Sequence, residues 1–473
     1  MKSRIKGLTG SLVGLSLLAG CNLAPVYERP APAISSSWPA GDAYLRTTET
    51  ALPRISYRDI FRDPALQMII ERAIVKNQDL RIALANVAVA RGQLRVRRAQ
   101  LLPRIDGSAG VTVGERGAAQ SATGGDGNNG GKFTSYDLNV GLTAFEIDLF
   151  GRVRNLSDAA LQDYLATEAA VRAARLTLIA EVANAYLTLA TDRSLLAISG
   201  ETAKTAARSV ELTRARLAGG IAPRTDLRQA ETVLAQARSD VANLTTIVAQ
   251  DRNSLELLVG APVSNADLAA SLESIDGLLG EVPPGLDSGI LLRRPDVVQA
   301  EYQLRAANAM IGAVRAAFFP RISLTTVAGL SSNALSTLFT SDAFTWSVQP
   351  SALIPIFDAG VNSGNLETTK AQRDAAVALY QRTIQTAFRE VSDALARRGT
   401  IGHQYDAQEQ LVVAALDSYK LADARYRGGI DPFLTSLDAQ RTLYSARRSL
   451  VSTRLVRASN LVELFRALGG DAT

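Results

Sequence analysis

The chain has 473 residues, a formal net charge of +5, one Cys and one His. A disulfide framework is therefore impossible, and a metal site built from Cys and His is not expected. Three of the positive charges (Lys2, Arg4 and Lys6) lie in a segment that we expect to be removed, and the remaining excess of two is too small to indicate nucleic-acid binding. Hydrophobic residues make up 47% of the chain but aromatic residues only 5%, a balance that favours closely packed helices over a large globular core.

Residues 1–20 have the pattern of a secretory signal peptide, with basic residues before an apolar run and small residues at its end. The apolar run is too short to remain as a transmembrane helix. Leu18-Ala19-Gly20-Cys21 resembles the bacterial lipobox, which implies cleavage before Cys21 and attachment of S-diacylglycerol and N-acyl lipid to it. The alternative, a free Cys, would leave an exposed thiol without a partner in an oxidising compartment. Asn22 at the next position is compatible with sorting to the outer membrane.

The next segment, the lipidated tether at 21–61, is rich in Pro, Ser and Ala and is typical of an extended chain. Helix signals begin at Asp63-Pro64, an N-cap followed by proline, and apolar residues recur at helical spacing until Pro103. Two alternating segments then predict a strand pair over about 103–149 with a Gly/Ser/Asn loop between them. The sequence next predicts a long helix over about 152–218 and a further helix over about 224–258.

The second half of the chain returns to the same order of elements. After a Pro- and Gly-rich linker at 261–289 we expect a helix, a strand pair (about 320–357), a long helix (about 360–427) and a last helix (about 432–468). At an offset of 209, Gly219-Gly220-Ile221 falls on Gly428-Gly429-Ile430. We therefore infer two internal repeats, 62–260 and 290–473.

Four strands of the length needed for a tilted membrane crossing cannot close a barrel within one chain, and an open sheet edge in hydrocarbon leaves backbone groups unpaired. Three copies would supply twelve strands, an even number within the range of bacterial barrels. The expected fold is an α+β membrane protein: a trimeric 12-stranded outer-membrane β-barrel, with four strands per protomer, continued by a long periplasmic α-helical barrel. The alternative, a soluble four-helix bundle, leaves the alternating segments and the lipobox unexplained.

Several motifs together resemble the TolC-type outer-membrane factor family. They are the lipobox, Leu23-Ala24-Pro25-Val26-Tyr27-Glu28-Arg29-Pro30 with Trp38-Pro39, Phe145-Glu146-Ile147-Asp148-Leu149-Phe150-Gly151-Arg152, Arg293-Arg294-Pro295-Asp296 and Phe318-Phe319-Pro320. Within that family the chain is similar to the OprM-like (NodT-type) lipoprotein branch, which serves resistance-nodulation-division (RND) tripartite efflux systems. The likeness covers the mature chain from end to end. Phe145 stands where the family commonly has Trp, which is a mild departure.

The resemblance implies the exit duct of a tripartite efflux pump for drugs or other small toxic compounds, in the outer membrane of a Gram-negative bacterium. Its partners would be two further copies in a homotrimer, a periplasmic adaptor (membrane fusion protein), an inner-membrane RND pump reached through the adaptor, and outer-membrane lipid. The linker at 261–289 would lie in the equatorial region. Two Gly-Gly turns would be periplasmic tips that dock the adaptor, although a bare helical hairpin also explains them. These tip residues are Gly219, Gly220, Ile221, Pro223, Gly428, Gly429, Ile430 and Pro432.

Residues 434–441 are similar to the family's aperture segment. The resemblance makes Leu434 an apolar constriction and Asp438 a ring of carboxylates near the tunnel axis, which would favour cations. Arg441, one helical turn after Asp438, can neutralise that carboxylate and latch the closed state. The family's second aperture aspartate corresponds to Thr435 here, which weakens the expected cation binding.

Tyr426 and Asp226 match positions that hold neighbouring hairpins together in the family. We expect a hydrogen bond between the two side chains in the closed state. For these residues and the three aperture residues, the alternative interpretation is a solvated or interhelical contact without a gating role.

The sequence contains no constellation of catalytic residues, and we expect no enzymatic activity and no cofactor apart from the lipid on Cys21. Gly125-Asp126-Gly127-Asn128-Asn129-Gly130 fits the GxGxxG pattern, but it precedes a strand and opens no helix, which favours a surface loop. A type I protein-secretion duct and a structural envelope lipoprotein are the alternatives to an efflux duct. Three Met and one His in the whole chain disfavour copper or silver export.

Overall fold

The computed structural model describes residues 22–32, 34–35, 37–44, 56–115, 132–275, 277, 280 and 288–470. Cys21, the predicted lipidation site, and the loop at 125–130 lie outside the described residues. The described part is mostly helical, with one four-stranded sheet. Its α-helices and β-strands are α1 (Tyr57–Ile60), α2 (Pro64–Lys76), α3 (Gln78–Ala99), β1 (Ile105–Glu115), β2 (Lys132–Ile147), α4 (Arg152–Ala218), α5 (Arg224–Val259), α6 (Pro295–Arg315), β3 (Arg321–Ser332), β4 (Phe344–Leu353), α7 (Val361–Arg427) and α8 (Phe433–Ala467).

The chain forms two compact units. The first comprises the described residues up to Pro30, Ala88–Ala166 and Ala300–Leu379, and it contains the sheet. The second comprises the described parts of Ala31–Val87, Thr167–Gln299 and Tyr380–Thr473 and is built mainly from helices. Within the described ranges, no helix has both the length and the apolar character that a membrane crossing requires.

The helix predicted from Asp63 to Pro103 is in fact two helices, because the chain leaves the helical conformation at Asn77 (φ −59°, ψ 134°). The Asn77 side-chain oxygen accepts a hydrogen bond from the backbone N–H of Leu80 (2.8 Å), and its amide group donates to the carbonyl oxygen of Leu258 (2.8 Å). An Asn side chain that caps a new helix competes with continuation of the old one. The apolar periodicity, which continues through Asn77, does not reveal this break.

The end of the segment predicted as a tether is folded into the second unit. Ser56 and Asp59 form a capping box that starts the short helix α1, and Ile60 and Phe61 behind it are fully buried. The ring of Phe61 packs edge-on against Phe465, with 5.7 Å between ring centroids. Burial of the apolar side chains of Ile60 and Phe61 therefore holds the end of the predicted tether against the second unit, before α2 begins.

A buried hydrogen bond connects the start of α2 to the middle of α4. Asp63 caps α2 through the backbone N–H of Ala65 (2.9 Å) and accepts a hydrogen bond from the Tyr186 hydroxyl (2.8 Å). Tyr186 is 1% exposed, and burial together with the adjacent Asp63 carboxylate raises the pKa of Tyr186. One carboxylate thus satisfies both a helix terminus and a buried hydroxyl, two groups that are costly to leave unpaired.

The strands form one antiparallel sheet in the order β1-β2-β3-β4. Strand β2 bulges between Leu142 and Phe145, where Ala144 takes a left-handed conformation (φ 47°). Its register against β3 places Leu138 opposite Leu330. Strands β1 and β4 are the two edges of this sheet, and the strands contain 11, 16, 12 and 10 residues in chain order.

Two carboxyl groups face each other between α4 and α5. Burial, and then the neighbouring carboxyl group of Asp192, raises the pKa of Asp251 to about 7. Because this folded-state pKa lies above the ordinary value of about 3.9 for an unfolded Asp, the folded protein binds the proton more tightly. The pair therefore destabilises the fold most above about pH 7, and this penalty decreases as the pH falls from about 7 towards the unfolded-state pKa of about 3.9.

We expect the substitution Asp251→Asn to raise the thermal unfolding temperature by a few degrees at pH 8 and by clearly less at pH 5, where Asp251 of the folded protein is already protonated. The measurement is thermal unfolding followed by circular dichroism at both pH values. Asp374→Asn is a matched control, since Asp374 is an exposed aspartate paired with Arg373. An equal effect of Asp251→Asn at the two pH values would contradict a raised pKa of Asp251.

Candidate functional site

The two interhelical turns that the sequence singles out have the same backbone geometry. At the end of α4 the N–H groups of Gly219, Gly220 and Ile221 donate to the carbonyls of Ala215, Leu217 and Arg216, at 3.0, 3.0 and 2.9 Å. At the end of α7 the N–H groups of Gly428, Gly429 and Ile430 donate to the carbonyls of Ala424, Tyr426 and Arg425, at 2.9, 3.0 and 2.9 Å. This pattern is a Schellman motif, which closes a helix with a left-handed residue.

Glycine is needed at one position of each turn. Gly220 has φ 73° and Gly429 has φ 75°, a conformation that is costly for residues with a side chain. Pro223 and Pro432 then occupy the N-cap positions of α5 and α8 in extended conformation. The predicted tip residues therefore form two tight helical hairpins.

Both tips present an isoleucine to solvent in the single chain. The exposed fractions of Ile221 and Ile430 are 79% and 66%. These side chains are available to a partner, since neither is needed to fill the core of the hairpins.

A small apolar cluster joins the two hairpins near their tips. Its centre is Tyr426, which is 5% exposed and lies against the ring of Phe433 with 5.2 Å between centroids. Burial of this cluster favours side-by-side packing of the hairpins. The buried members are Val210, Leu227, Ala230, Tyr426, Phe433 and Leu437.

Within one chain, the Tyr426 hydroxyl lies 3.4 Å from Thr213 Oγ1. The predicted hydrogen bond between Tyr426 and Asp226 is not formed in the described chain, because the hydroxyl is buried in the cluster and directed at α4. The hydrogen bond between these residues in the closed state stays a prediction.

Arg216, which no sequence pattern singles out, connects the two hairpins near their tips. Its guanidinium group donates to the carbonyl oxygens of Tyr426 (3.1 Å) and Arg427 (3.0 Å), at the end of α7. The same group lies 4.4 Å from the centroid of the Tyr426 ring. A cation at the end of a helix satisfies free carbonyls and interacts favourably with the helix dipole.

The corresponding arginine in the second hairpin has a different partner. Arg425 binds Asp431 through two hydrogen bonds of 2.6 and 2.9 Å. The hydrogen bond from Arg425 lowers the pKa of Asp431. Arg425 therefore binds a carboxylate of its own tip, whereas Arg216 binds carbonyl oxygens of the other hairpin.

The predicted aperture residues lie on the first turns of α8. Leu434 is 50% exposed. Asp438 and Arg441 are three residues apart, with 3.9 Å between Arg441 Nη1 and Asp438 Oδ1 and side-chain exposures of 63% and 53%. An exposed pair of this kind contributes about 0–1 kcal/mol on its own, so a single chain provides only a weak latch.

Among the residues that the structure describes, no group of three or more His, Cys, Asp or Glu side chains is placed to hold a metal ion.

The chain matches the family model for outer membrane efflux proteins over residues 69–261 and 287–470. It is 44% identical over 469 residues to the toluene efflux pump outer membrane protein TtgC of Pseudomonas putida, covering 98% of this chain and 96% of that one. The structure is similar to a membrane protein from Pseudomonas aeruginosa, with a TM-score of 0.88 and 39% identity over 95% of this chain and 100% of that one. It is also similar to the open state of the MtrE outer membrane channel of Neisseria gonorrhoeae, with a TM-score of 0.84 and 35% identity over 96% and 99% of the two chains.

The matches run through both halves of the chain and include both hairpins and the sheet. The family consists of transport ducts and not of enzymes. The chain therefore belongs to the outer membrane efflux protein family and is the outer-membrane channel component of an efflux pump.

Proposed function

We propose that three copies of this chain assemble into one duct, with a twelve-stranded outer-membrane β-barrel continued by a periplasmic α-helical barrel. The observation that carries the proposal is the four-stranded sheet with its two edges, β1 and β4. Each strand is long enough for a tilted crossing of about 9–11 residues. Pairing β4 of one copy with β1 of the next satisfies the edge backbone groups, which hydrocarbon cannot do. In this assembly 62–260 and 290–473 act as two repeats of one unit, with 261–289 as the equatorial linker.

Membrane anchoring is a second part of the proposal. The signal peptide at 1–20 is removed, and Cys21 carries diacylglycerol and an N-acyl chain in the outer membrane. Several acyl chains give stable anchoring because each buried CH₂ contributes about 0.8 kcal/mol. Lipidation is checked directly by the mass of the N-terminal peptide of the mature protein.

The partners in this proposal are a periplasmic adaptor at the two tips and, through it, an inner-membrane RND pump. The exposed Ile221 and Ile430 support docking at the tips, since they offer apolar contacts on rigid turns. The cargo is then whatever the pump delivers. A relative named for toluene efflux supports small toxic compounds, drugs among them, as the substrate class.

The aperture of the duct is the third part. Three copies of Asp438 near one axis repel each other, and Arg441 next to each of them reduces that repulsion in the closed state. Leu434, half exposed in the single chain, forms an apolar constriction beside them. A hydrogen bond between Tyr426 and Asp226 in the closed state would hold neighbouring hairpins together.

The assembly is tested by the mass of the detergent-extracted protein. Native mass spectrometry is expected to show a complex of three chains, each with its lipid. A monomeric protein that retains its lipid and its helical circular dichroism would contradict the barrel, because one copy leaves both sheet edges unpaired.

The aperture is tested by the double substitution of Asp438 and Arg441 with Ala. We expect single-channel conductance in a planar bilayer to rise severalfold, because the charged pair that narrows and latches the tunnel is removed. The matched control replaces Arg373 and Asp374 with Ala, an exposed pair on α7, and should leave conductance unchanged. Unchanged conductance of the Asp438/Arg441 variant would rule out the latch.

A further inference from the structure

Arg216 and Arg425 occupy equivalent positions in the two tips. Each provides the carbonyl oxygen that accepts the hydrogen bond from the isoleucine N–H of the turn, at 2.9 Å in both cases. Each also lies two residues before the end of its helix. Despite this equivalence, Arg425 binds within its own turn and Arg216 binds to the other hairpin.

One residue explains the difference. Six positions after Arg425 the second tip has Asp431, whose carboxylate takes both hydrogen bonds from the guanidinium group. Six positions after Arg216 the first tip has Ala222, which offers no acceptor in its side chain. Arg216 is therefore available for the carbonyl oxygens at the end of α7.

The contact is suited to holding one hairpin against the other. A planar guanidinium group holds its N–H donors in a fixed arrangement, whereas an ammonium group is a compact charge. Donation to two successive carbonyls therefore fixes the relative position of the two hairpins more closely than an ammonium group would. The guanidinium group also covers the Tyr426 ring, which is buried in the cluster between the hairpins. The hydrogen bonds and the ring contact join α4 to the last turn of α7, and the apolar cluster beside them includes residues of all four helices of the two hairpins.

We propose that Arg216 is a positioning residue of the aperture: it clasps the α7–α8 hairpin to the α4–α5 hairpin, and its release lets the tips separate. Because α8 carries Leu434 and Asp438, a shift of that hairpin moves both aperture residues. This inference rests on the duct assembly proposed above. Ala222 contributes to this arrangement because its side chain has no acceptor. A side chain with an acceptor at position 222 would bind Arg216 in place of the α7 carbonyls.

The test introduces that acceptor at position 222 and leaves the side chains of Arg216 and Tyr426 unchanged. In Ala222→Asp, the new carboxylate is expected to bind Arg216 as Asp431 binds Arg425. Ala222→Asn is the matched control, because it has nearly the same size and lacks the charge that makes such pairs strong. Arg216→Ala removes the clasp directly, and Arg216→Lys retains the charge without the two-pronged geometry.

The readout is hydrogen exchange of the peptide that spans residues 421–432, measured on the intact protein in detergent. We expect Ala222→Asp and Arg216→Ala to accelerate exchange about tenfold, which corresponds to about 1.4 kcal/mol, since both remove hydrogen bonds from a charged donor, which are stronger than neutral ones. Arg216→Lys should fall between them and the wild type, and Ala222→Asn should match the wild type. Unaltered exchange in Arg216→Ala would overturn the clasp, and unaltered exchange in Ala222→Asp alone would overturn the role of position 222.

Single-channel conductance separates this inference from the proposed duct. If Arg216 positions the aperture, the variant with faster exchange also has the higher conductance. We therefore expect higher conductance for Ala222→Asp than for Ala222→Asn. Faster exchange with unchanged conductance would contradict a role in positioning the aperture. A wild-type protein without any conductance would count against the duct itself, and the exchange rates would still decide the contact between the hairpins.

Discussion

Replacing Arg294 with methionine is expected to lower the free energy of unfolding of the helical unit by about 1–3 kcal/mol, because a backbone carbonyl and a partly buried carboxylate lose their charged donor. Arg294 is 6% exposed. It binds the carboxylates of Asp296 (2.7 Å) and Glu390 (2.9 Å) and donates to the carbonyl of Ala467 (2.8 Å). The side chain thus joins the start of α6, the middle of α7 and the end of α8. Methionine fills similar space but leaves the Ala467 carbonyl without this donor and leaves Glu390 with Arg466, at 3.8 Å, as its remaining cationic partner.

The measurement is urea-induced unfolding in detergent, followed by far-UV circular dichroism. Arg293→Met is a matched control at the adjacent position, where the side chain is exposed, and its effect should be below about 0.5 kcal/mol. Equal effects of the two substitutions would show that the buried network around Arg294 adds nothing to stability.

A second large effect is expected at Gly312, where alanine should release the N-terminal segment from α6. A Cβ atom at Gly312 would lie 2.7 Å from the backbone of Ala24 and 2.6 Å from Asn155 Nδ2. Moving the backbone of Ala24 or the buried side chain of Asn155 to make room for this Cβ atom would cost free energy. The same Gly→Ala change in an open helical position stabilises a helix by about 0.5–1 kcal/mol.

Neighbouring contacts hold the same segment on α6. Glu301, whose side chain is 7% exposed, binds Arg29 (2.7 Å) and Arg305 (2.6 Å), and Arg315 donates to the carbonyl of Leu23 (3.1 Å). These contacts keep the chain that follows the predicted lipid anchor in one place.

Endoproteinase Glu-C cleavage after Glu28 measures release of the segment. We expect Gly312→Ala to raise the cleavage rate at least tenfold, because the docked backbone must leave α6 to enter the protease. Gly402→Ala, at a helical glycine with nothing within 4 Å of the added Cβ, should leave the rate at the wild-type value. A cleavage rate of Gly312→Ala equal to that of the wild type would mean that docking of the N-terminal segment on α6 does not require glycine at position 312.

The parts of the fold that the sequence predicts well are those set by local patterns. The Gly-Gly pairs predict the ends of α4 and α7 because only glycine takes φ near 73–75° at low cost. Alternation of apolar and polar residues likewise predicts the strand pairs, since side chains of a strand point to opposite faces. Such features depend on a few neighbouring residues.

Features set by distant residues could not be predicted in this way. Asn77 breaks a helix partly because its amide donates to the carbonyl of Leu258, a residue 181 positions away. The sequence shows that Arg216 and Arg425 align and that Ala222 and Asp431 differ. It does not show that Arg216 turns to α7, because that depends on the packing of the two hairpins.

The most direct test of the account is photo-crosslinking in cells from an unnatural residue at Ile221 or Ile430, the exposed isoleucines of the two tips. Position 403, an exposed histidine on α7 away from the tips, is the control. We expect both tips, and not position 403, to capture a periplasmic adaptor of an RND pump. Capture of an adaptor linked to an ABC transporter, or no capture from either tip of an expressed and anchored protein, would contradict it.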